Sequence, residues 1–460
     1  MFRKDARTAN PNSSIWLDLP EDIFRHHLVK LEERTNAVPI GPQAFLPEGW
    51  LRTSPDNSQT SHGLPFEIEQ QLADDFASLA AVEEGAQSVA AVCIEEHVQP
   101  SRLTLRFAAL DISLNDAVKT ALQEAADILA EAASDSGENS ISLSKYVDVL
   151  FHHVVQLHFR RLLARLRSTK WEKPKYLSKS HKKPLWQDFA NLIHRAQFVY
   201  TKGEKASRLL VEELLGELAS VYERFETVQE ELPALIHLVK ASFTLCSREE
   251  TKDYVLRLES SAGSKLTQQV ASAIKCLRQI QKIAAYRRIC ISLVQTAREY
   301  AFLFQNGIAL AYLTPYKSVP TTIGYEEWAT TCHVHAEVQL AVHYDLKILR
   351  PEPGQESFLP PRCIGISKWL CYLCYQFLRA HKMFFPSRTH GRLYDQWTIP
   401  DLAEFDEDLL KRYRSILKIM DEGTVHLTDN EPELWRIEPM TSIDFYSTLG
   451  SPLISQSVTP

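Results

Sequence analysis

The stretch "QQVASAIKCLRQIQKIAAYRRICISLVQTAREYAFLF", residues 268–304, repeats apolar side chains at three- and four-residue steps over a length no strand uses. It closes a series of similar segments: "SLNDAVKTALQEAADILAEAA", with Ser113 as the expected N-cap, then "LSKYVDVLFHHVVQLHFRRLLARL" and "ASRLLVEELLGELASVYERF". This periodicity predicts an all-helical domain over 65–305, with strand-type alternation scarce and no fixed-period repeat. At 460 residues the chain is too long for one ordinary core, so a second domain is expected.

Residues 1–64 are rich in Pro, Asn, Ser and Gly, and read as mostly irregular or loosely attached, apart from a short helix at "EDIFRHHLVKLEER". After residue 305 the texture changes. "IALAYLTPYKSVPTT" and "RCIGISK" are strand-like, "KMFFPSRTHGRLY" mixes aromatics with Pro and Gly, and "DLAEFDEDLLKRYRSILKIM" is an amphipathic helix. Strands alternating with helices predict an α/β sandwich over 306–437, followed by a disordered tail over 438–460. The expected class for the whole chain is therefore α+β or α/β. No run approaches the roughly 18 apolar residues of a membrane span, so no membrane partner is expected. The net charge of -7 is mild and says little about partners. Four of the eight cysteines, Cys332, Cys363, Cys371 and Cys374, crowd into one C-terminal window of a long chain. That placement fits metal chemistry in a reducing compartment, cytoplasmic or nuclear, better than a disulfide scaffold.

Within that window "HVHAEVQLAVHYDL", residues 333–346, is followed by "SKWLCYLCYQFL", with Cys371 and Cys374 three apart. Two such cysteines on a first helical turn face the same way, and the helix N-terminus favours thiolate, the form zinc binds. His335 and Glu337 are two apart and would diverge in mid-helix. They converge only if the helix starts just after His335. Three protein ligands leave zinc's fourth position to water, and a nearby carboxylate can shuttle the proton. The order H-A-E, strand-like spacer, C-x-x-C is that of the zinc-dependent nucleobase deaminases.

The stretches "HVHAEVQL", "PPRCIGISKWLCYLC" and "FFPSRTHGRLYDQWTIP" resemble the fungal, toxin-related branch of the cytidine deaminase-like superfamily, over about residues 325–400. The resemblance implies a five-stranded deaminase fold, with Zn2+ on His335, Cys371 and Cys374 and Glu337 as acid/base. It also implies a substrate containing a nucleobase, in nucleic acid or a nucleotide. The expected activity is hydrolytic deamination, cytosine-type favoured over adenine. One departure stands out: Leu370 occupies the position where many deaminases place Pro before the first Cys.

Rival readings are weaker. An isopeptidase pair at His333 and His335 needs a Ser and an Asp where His343 and Leu346 stand. A closed site of Cys371, Cys374, His381 and His390 would leave Glu337 without a role. A deaminase-derived scaffold, with structural zinc and a partner held by the helical domain, is the second functional reading. His333, Lys368 and His390 are candidate substrate contacts, and Arg362 and Ser367 possible phosphate or base-edge contacts. Arg388, Tyr394 and Trp397 are candidate stacking surfaces. The basic run 159–184, with Trp171 and Tyr176 interleaved, reads as a solvated helix end with phosphate docking as its alternative. Protein partners are not legible.

Overall fold

The computed structural model describes residues 5, 14–47, 62–84, 89–110, 114–135, 140–175, 183–261, 267–349, 357–431 and 435. Ser113, Tyr176 and the expected tail at 438–460 lie outside them.

In chain order the helices are α1 (Glu21–Thr35), α2 (Phe66–Ala80), α3 (Asp116–Ser134), α4 (Ser140–Leu157), α5 (Phe159–Leu166), α6 (Phe189–Val199) and α7 (Lys205–Phe225). They continue as α8 (Glu231–Ser247), α9 (Glu249–Ser260), α10 (Gln268–Glu299), α11 (Ala301–Phe304), α12 (Ala336–Leu349), α13 (Tyr372–His381) and α14 (Glu407–Asp429). The strands are β1 (Gln43–Ala44), β2 (Ala90–Val98), β3 (Ser101–Ala109), β4 (Ile308–Tyr312), β5 (Val319–Pro320), β6 (Thr331–Val334), β7 (Phe358–Leu359), β8 (Gly365–Ile366), β9 (Arg388–Thr389) and β10 (Trp397–Thr398). The fold is α+β.

Helix α10 organises the helical part. Thr267 caps it, its hydroxyl accepting from Val270 N at 3.4 Å. It is buried on several sides, from Ile274 and Leu277 through Tyr286 to Leu293, so its apolar residues are spread around it and not confined to one narrow stripe. Helices α3, α4, α6 and α8 pack around it. The cap of α3 is Asn115, whose side chain accepts from Val118 N at 3.1 Å.

The expectation of an all-helical 65–305 fails at residues 90–109. There β2 and β3 form a hairpin, antiparallel from Ala90–Ala109 to Val98–Ser101. β4 pairs parallel to β3, and β7 and β8 both pair antiparallel to β2, completing a mixed five-stranded sheet. Val92, Ile94, Leu103, Leu105 and Phe107 point into the helical core, while Ala91, Cys93 and Ala108 point into the core of the C-terminal part. A strand buried on both faces shows no polar alternation, so "AAVCI" carries no period-2 signal. The hairpin is the shared wall of the two cores, and it crosses the boundary expected at 305/306.

The second correction concerns residues 1–64. Helix α1 forms as expected, but it is not loosely attached: Phe24, Leu28 and Leu31 are buried in the C-terminal core against α14. Each such burial is worth about 1.5–3 kcal/mol. Polar ties add register. Ser14 Oγ donates to Asp401 Oδ2 (2.6 Å), Arg414 Nη2 donates to Ser14 O (2.8 Å), and His27 Nδ1 lies 2.7 Å from Asp421 Oδ1. Among the described residues no helix is long and apolar enough to cross a membrane.

Candidate metal centre

Strand β6 pairs in parallel with β10, His333 opposite Trp397 and Val334 opposite Thr398. The strand stops at Val334 and α12 starts at Ala336, so His335 sits at the junction and is not helical. Glu337 therefore falls in the first helical turn, on the side His335 faces. Gln339 pins the junction: its amide donates to Val334 O and to Ala109 O, each at 2.9 Å. Its bond to Ala109 couples the metal centre to the hairpin.

Cys371 is the N-cap of α13. Its sulfur accepts from Cys374 N at 3.3 Å, and Cys374 lies in the first turn. Sulfur is a weak cap beside Ser or Asp, so a thiolate at this position makes chemical sense mainly as a ligand. His335 Nδ1 is 3.6 Å from Cys371 Sγ and 3.4 Å from Cys374 Sγ. The three ligand atoms all lie within 4.8 Å of one another. Burial alone would push the Cys371 thiol up, but the Cys374 thiol and the His335 imidazole hold it well below the usual thiol range. Cys374, buried and facing that sulfur, is pushed up. Burial pulls His335 down, yet Cys371 raises it overall.

This donor set fits zinc. Two sulfurs and an imidazole, interacting mainly with one another, are soft and borderline ligands that one divalent cation can bridge in place of protons. Glu337 stands beside the trio without joining it. The Cys374 thiol donates to Glu337 Oε2 at 3.5 Å, but Glu337 is not part of the group of mutually close ligand atoms. Burial raises its carboxyl above the usual range, the direction that favours a carboxyl holding a proton.

Residues 388–395 pass beside the centre. β9 pairs with β1 of the N-terminal segment, and His390 N donates to Leu370 O, next to Cys371. His390 is buried, its Nδ1 accepts from Arg392 N at 3.1 Å, and burial lowers it to about 4. It is therefore a neutral imidazole with its proton on Nε2. Gly391 has φ +71°, and a Cβ there would come within 1.8 Å of Ile40 O, so only glycine allows the N-terminal segment this close. The Tyr394 ring lies 6.5 Å from His335 and 6.1 Å from His390, with Arg392 5.1 Å over its face.

The other expected contacts separate. His333 lies on β6 with Nε2 3.3 Å from Thr331 Oγ1, outside the trio. Lys368 is half-buried between β8 and Cys371, also outside it. Arg362 is held by Glu69, donating from N (2.8 Å) and Nε (2.6 Å), and Ser367 Oγ accepts from Ala90 N. Neither is a phosphate contact. Arg388 lies on β9. Trp397 is fully buried against Phe377, so it is core and not a stacking surface. His381 is not a ligand: its Nε2 is 2.8 Å from Asp345 Oδ2, which also takes Tyr413 Oη at 2.6 Å. In the basic run, Arg161 is buried, Arg167 and Lys183 pair with Asp188, and Lys170 pairs with Glu231. Sequence reasoning missed Glu32 and Asp395, both buried beside Tyr394. Nothing in the helix pattern separates Glu32 from Glu33.

Residues 334–401 match a family model described as an OTT_1508_deam-like deaminase. The matched deaminase-like domain runs from the strand before His335, through Cys371 and Cys374, to Asp401, which holds Ser14. No curated protein and no solved structure matches the chain.

Proposed function

We propose that the protein catalyses zinc-dependent hydrolytic deamination of a nucleobase in nucleic acid or a nucleotide, cytosine-type in preference to adenine. The observation that carries the reading is the separation of roles: three ligand atoms within 4.8 Å of one another, with Glu337 beside them but outside the group. His335, Cys371 and Cys374 would hold zinc, which supplies a Lewis acid and an acidified water in its open position. Glu337 would take one proton from the attacking water and give it to the ring nitrogen, and would then pass the proton left on the new oxygen to the exocyclic amine, which departs as ammonia. A C–O bond forms and the exocyclic C–N bond breaks. Buried Leu370, Cys374 and Trp397 keep bulk water from the inner side of the trio. The compartment we propose is a reducing one, cytoplasmic or nuclear, where thiolates remain available to a metal.

Zinc content, ammonia release and base conversion on DNA, RNA, nucleotides and nucleosides test this directly. Turnover that requires Glu337 supports it. A full complement of zinc with no turnover across that panel would leave a deaminase-derived scaffold instead.

A further inference from the structure

Helix α5 has His158 as its N-cap and carries Arg161 and Arg165, so these side chains, three and then four residues apart, share one face. That face meets Tyr286, in the middle of α10. The His158 and Tyr286 ring centroids are 5.0 Å apart, and the Arg165 guanidinium lies 5.9 Å over the Tyr286 ring. His158 is 0% exposed, Tyr286 1% and Arg161 7%, while Arg165 is half-buried. Four polar atoms of this cluster are buried without a hydrogen-bond partner among the described residues: His158 Nδ1, Arg161 Nη1, Arg165 Nε and Tyr286 Oη. Buried polar groups are nearly always paired, so four left open on facing side chains point to a partner from outside the chain.

Charge says what kind of partner. Burial lowers the Arg161 guanidinium to about 10; Tyr286 and Glu84 oppose that shift and Arg165 reinforces it, so near neutral pH Arg161 is a cation. Glu84 is engaged elsewhere, its Oε1 accepting from Trp171 Nε1 at 2.9 Å. Two like charges on one inward face call for an anion. His158 narrows the choice. Its Nε2 lies 3.1 Å from Leu79 O, which only accepts, so Nε2 carries the hydrogen. Burial, then Arg161 and Arg165, hold the imidazole well below the usual histidine range, and Nδ1 of the neutral ring is an acceptor. The cluster thus offers guanidinium donors, one acceptor and a hydroxyl that serves either way. An oxyanion that keeps one O–H matches this set. A nucleic-acid backbone does not, because a phosphodiester has no O–H and Arg161 is buried.

We propose that His158, Arg161, Arg165 and Tyr286 bind a phosphate group that carries a proton, as inorganic phosphate or as the monoester of a small molecule. The two guanidiniums and the Tyr286 hydroxyl donate to its oxygens, and its own O–H donates to His158 Nδ1. The anion joins α5 to α10 and, through the Leu79 bond, to the end of α2, which packs on β2 and β8. Sulfate has the same shape and no proton to give, so the acceptor at His158 discriminates between the two. The site lies in the helical part of the molecule and does not rest on the deaminase reading.

The test uses the zinc-loaded full chain and two variants: Arg161→Leu, which removes a charge, and Tyr286→Phe, which removes one oxygen and keeps the ring. Each protein is dialysed in potassium chloride to constant phosphorus content. It is then titrated with phosphate, sulfate, glycerol phosphate and a short single strand of DNA at equal ionic strength. Phosphorus per chain, melting temperature and zinc content are followed. Wild type should reach one phosphate per chain, melt higher with it than in chloride, and prefer phosphate to sulfate about tenfold. Tyr286→Phe should weaken phosphate about tenfold and Arg161→Leu about ten- to a hundredfold, with zinc content unchanged in both. Uptake of phosphate alone supports an enclosed anion, and uptake of glycerol phosphate a phosphorylated small molecule. No phosphorus in wild type and no rise in melting temperature beyond chloride would mean that water serves the four atoms. Phosphate and sulfate bound equally by all three proteins would be an adventitious ion only. Variants that melt lower but keep their phosphate affinity would make the cluster a matter of packing. A single strand bound where neither small anion is would assign the arginines to nucleic-acid docking. Each of these last four results overturns the inference.

Discussion

Among the described residues, two clusters bring three potential ligands within 4.8 Å of one another, and they differ in who satisfies them. His335, Cys371 and Cys374 interact chiefly with each other. His62, Glu69 and Glu96 form the second trio, and protein donors already fill it. Glu69 receives two bonds from Arg362, and Glu96 Oε2 accepts from Gly63 N at 2.6 Å. A guanidinium in place beside a carboxylate supplies the positive charge a metal would bring. Ligand proximity is thus insufficient: what separates a metal centre from a structural ion pair is whether the donors still need a cation.

That contrast is open to direct attack, beginning with metal content. Wild type should hold one zinc per chain, and Cys371→Ser none, with the C-terminal core destabilised because metal binding is coupled to folding. Two zinc ions per wild-type chain would erase the distinction between the trios. Next comes chemistry: Glu337→Gln should keep its zinc and lose about 10²–10⁴-fold in kcat. Parallel loss of the metal would make Glu337 a fourth ligand. The second trio is probed through Arg362→Met, which leaves Glu69 buried and unopposed. About 3 kcal/mol of stability should go, from a general range of about 3–5, with zinc stoichiometry unchanged. A urea midpoint equal to wild type would show the ion pair to be idle.

The smallest effect is one of pH. Glu32 binds its proton more tightly in the folded chain (about 8) than at its ordinary 4.5. Its contribution to stability is therefore complete below about pH 4.5 and is lost as pH rises through 8. Urea midpoints at pH 5 and pH 8 should differ less in Glu32→Gln than in wild type. The same pH slope in both proteins would remove Glu32 from the account.

The meeting of His335, Cys371 and Cys374 was legible because its signal is local. His335 at a strand–helix junction and Cys371 at a helix N-terminus follow from residue type and spacing within a few positions. So does Glu337, one residue past the junction. The core placement of Trp397, the Asp345 bond that removes His381, and the Glu69 bonds that occupy Arg362 were hidden, because each depends on a partner distant in sequence. The hairpin at 90–109 escaped for a related reason: strands apolar on both faces look like any other apolar run. Polar composition made residues 1–64 read as loose, yet Phe24, Leu28 and Leu31 on one side of α1 bury it in the C-terminal core.

By itself, then, the amino-acid order determined the long helices, through periodicity, and the clustering of His335, Cys371 and Cys374, through short-range geometry at two helix starts. Tertiary structure alone decided that the β2–β3 hairpin divides two cores, and that α1 packs into the C-terminal core with Glu32 buried in its last turn. Burial is a property of the assembled chain: whether an oxygen is paired, or a carboxyl keeps its proton, depends on which distant segments exclude water from it.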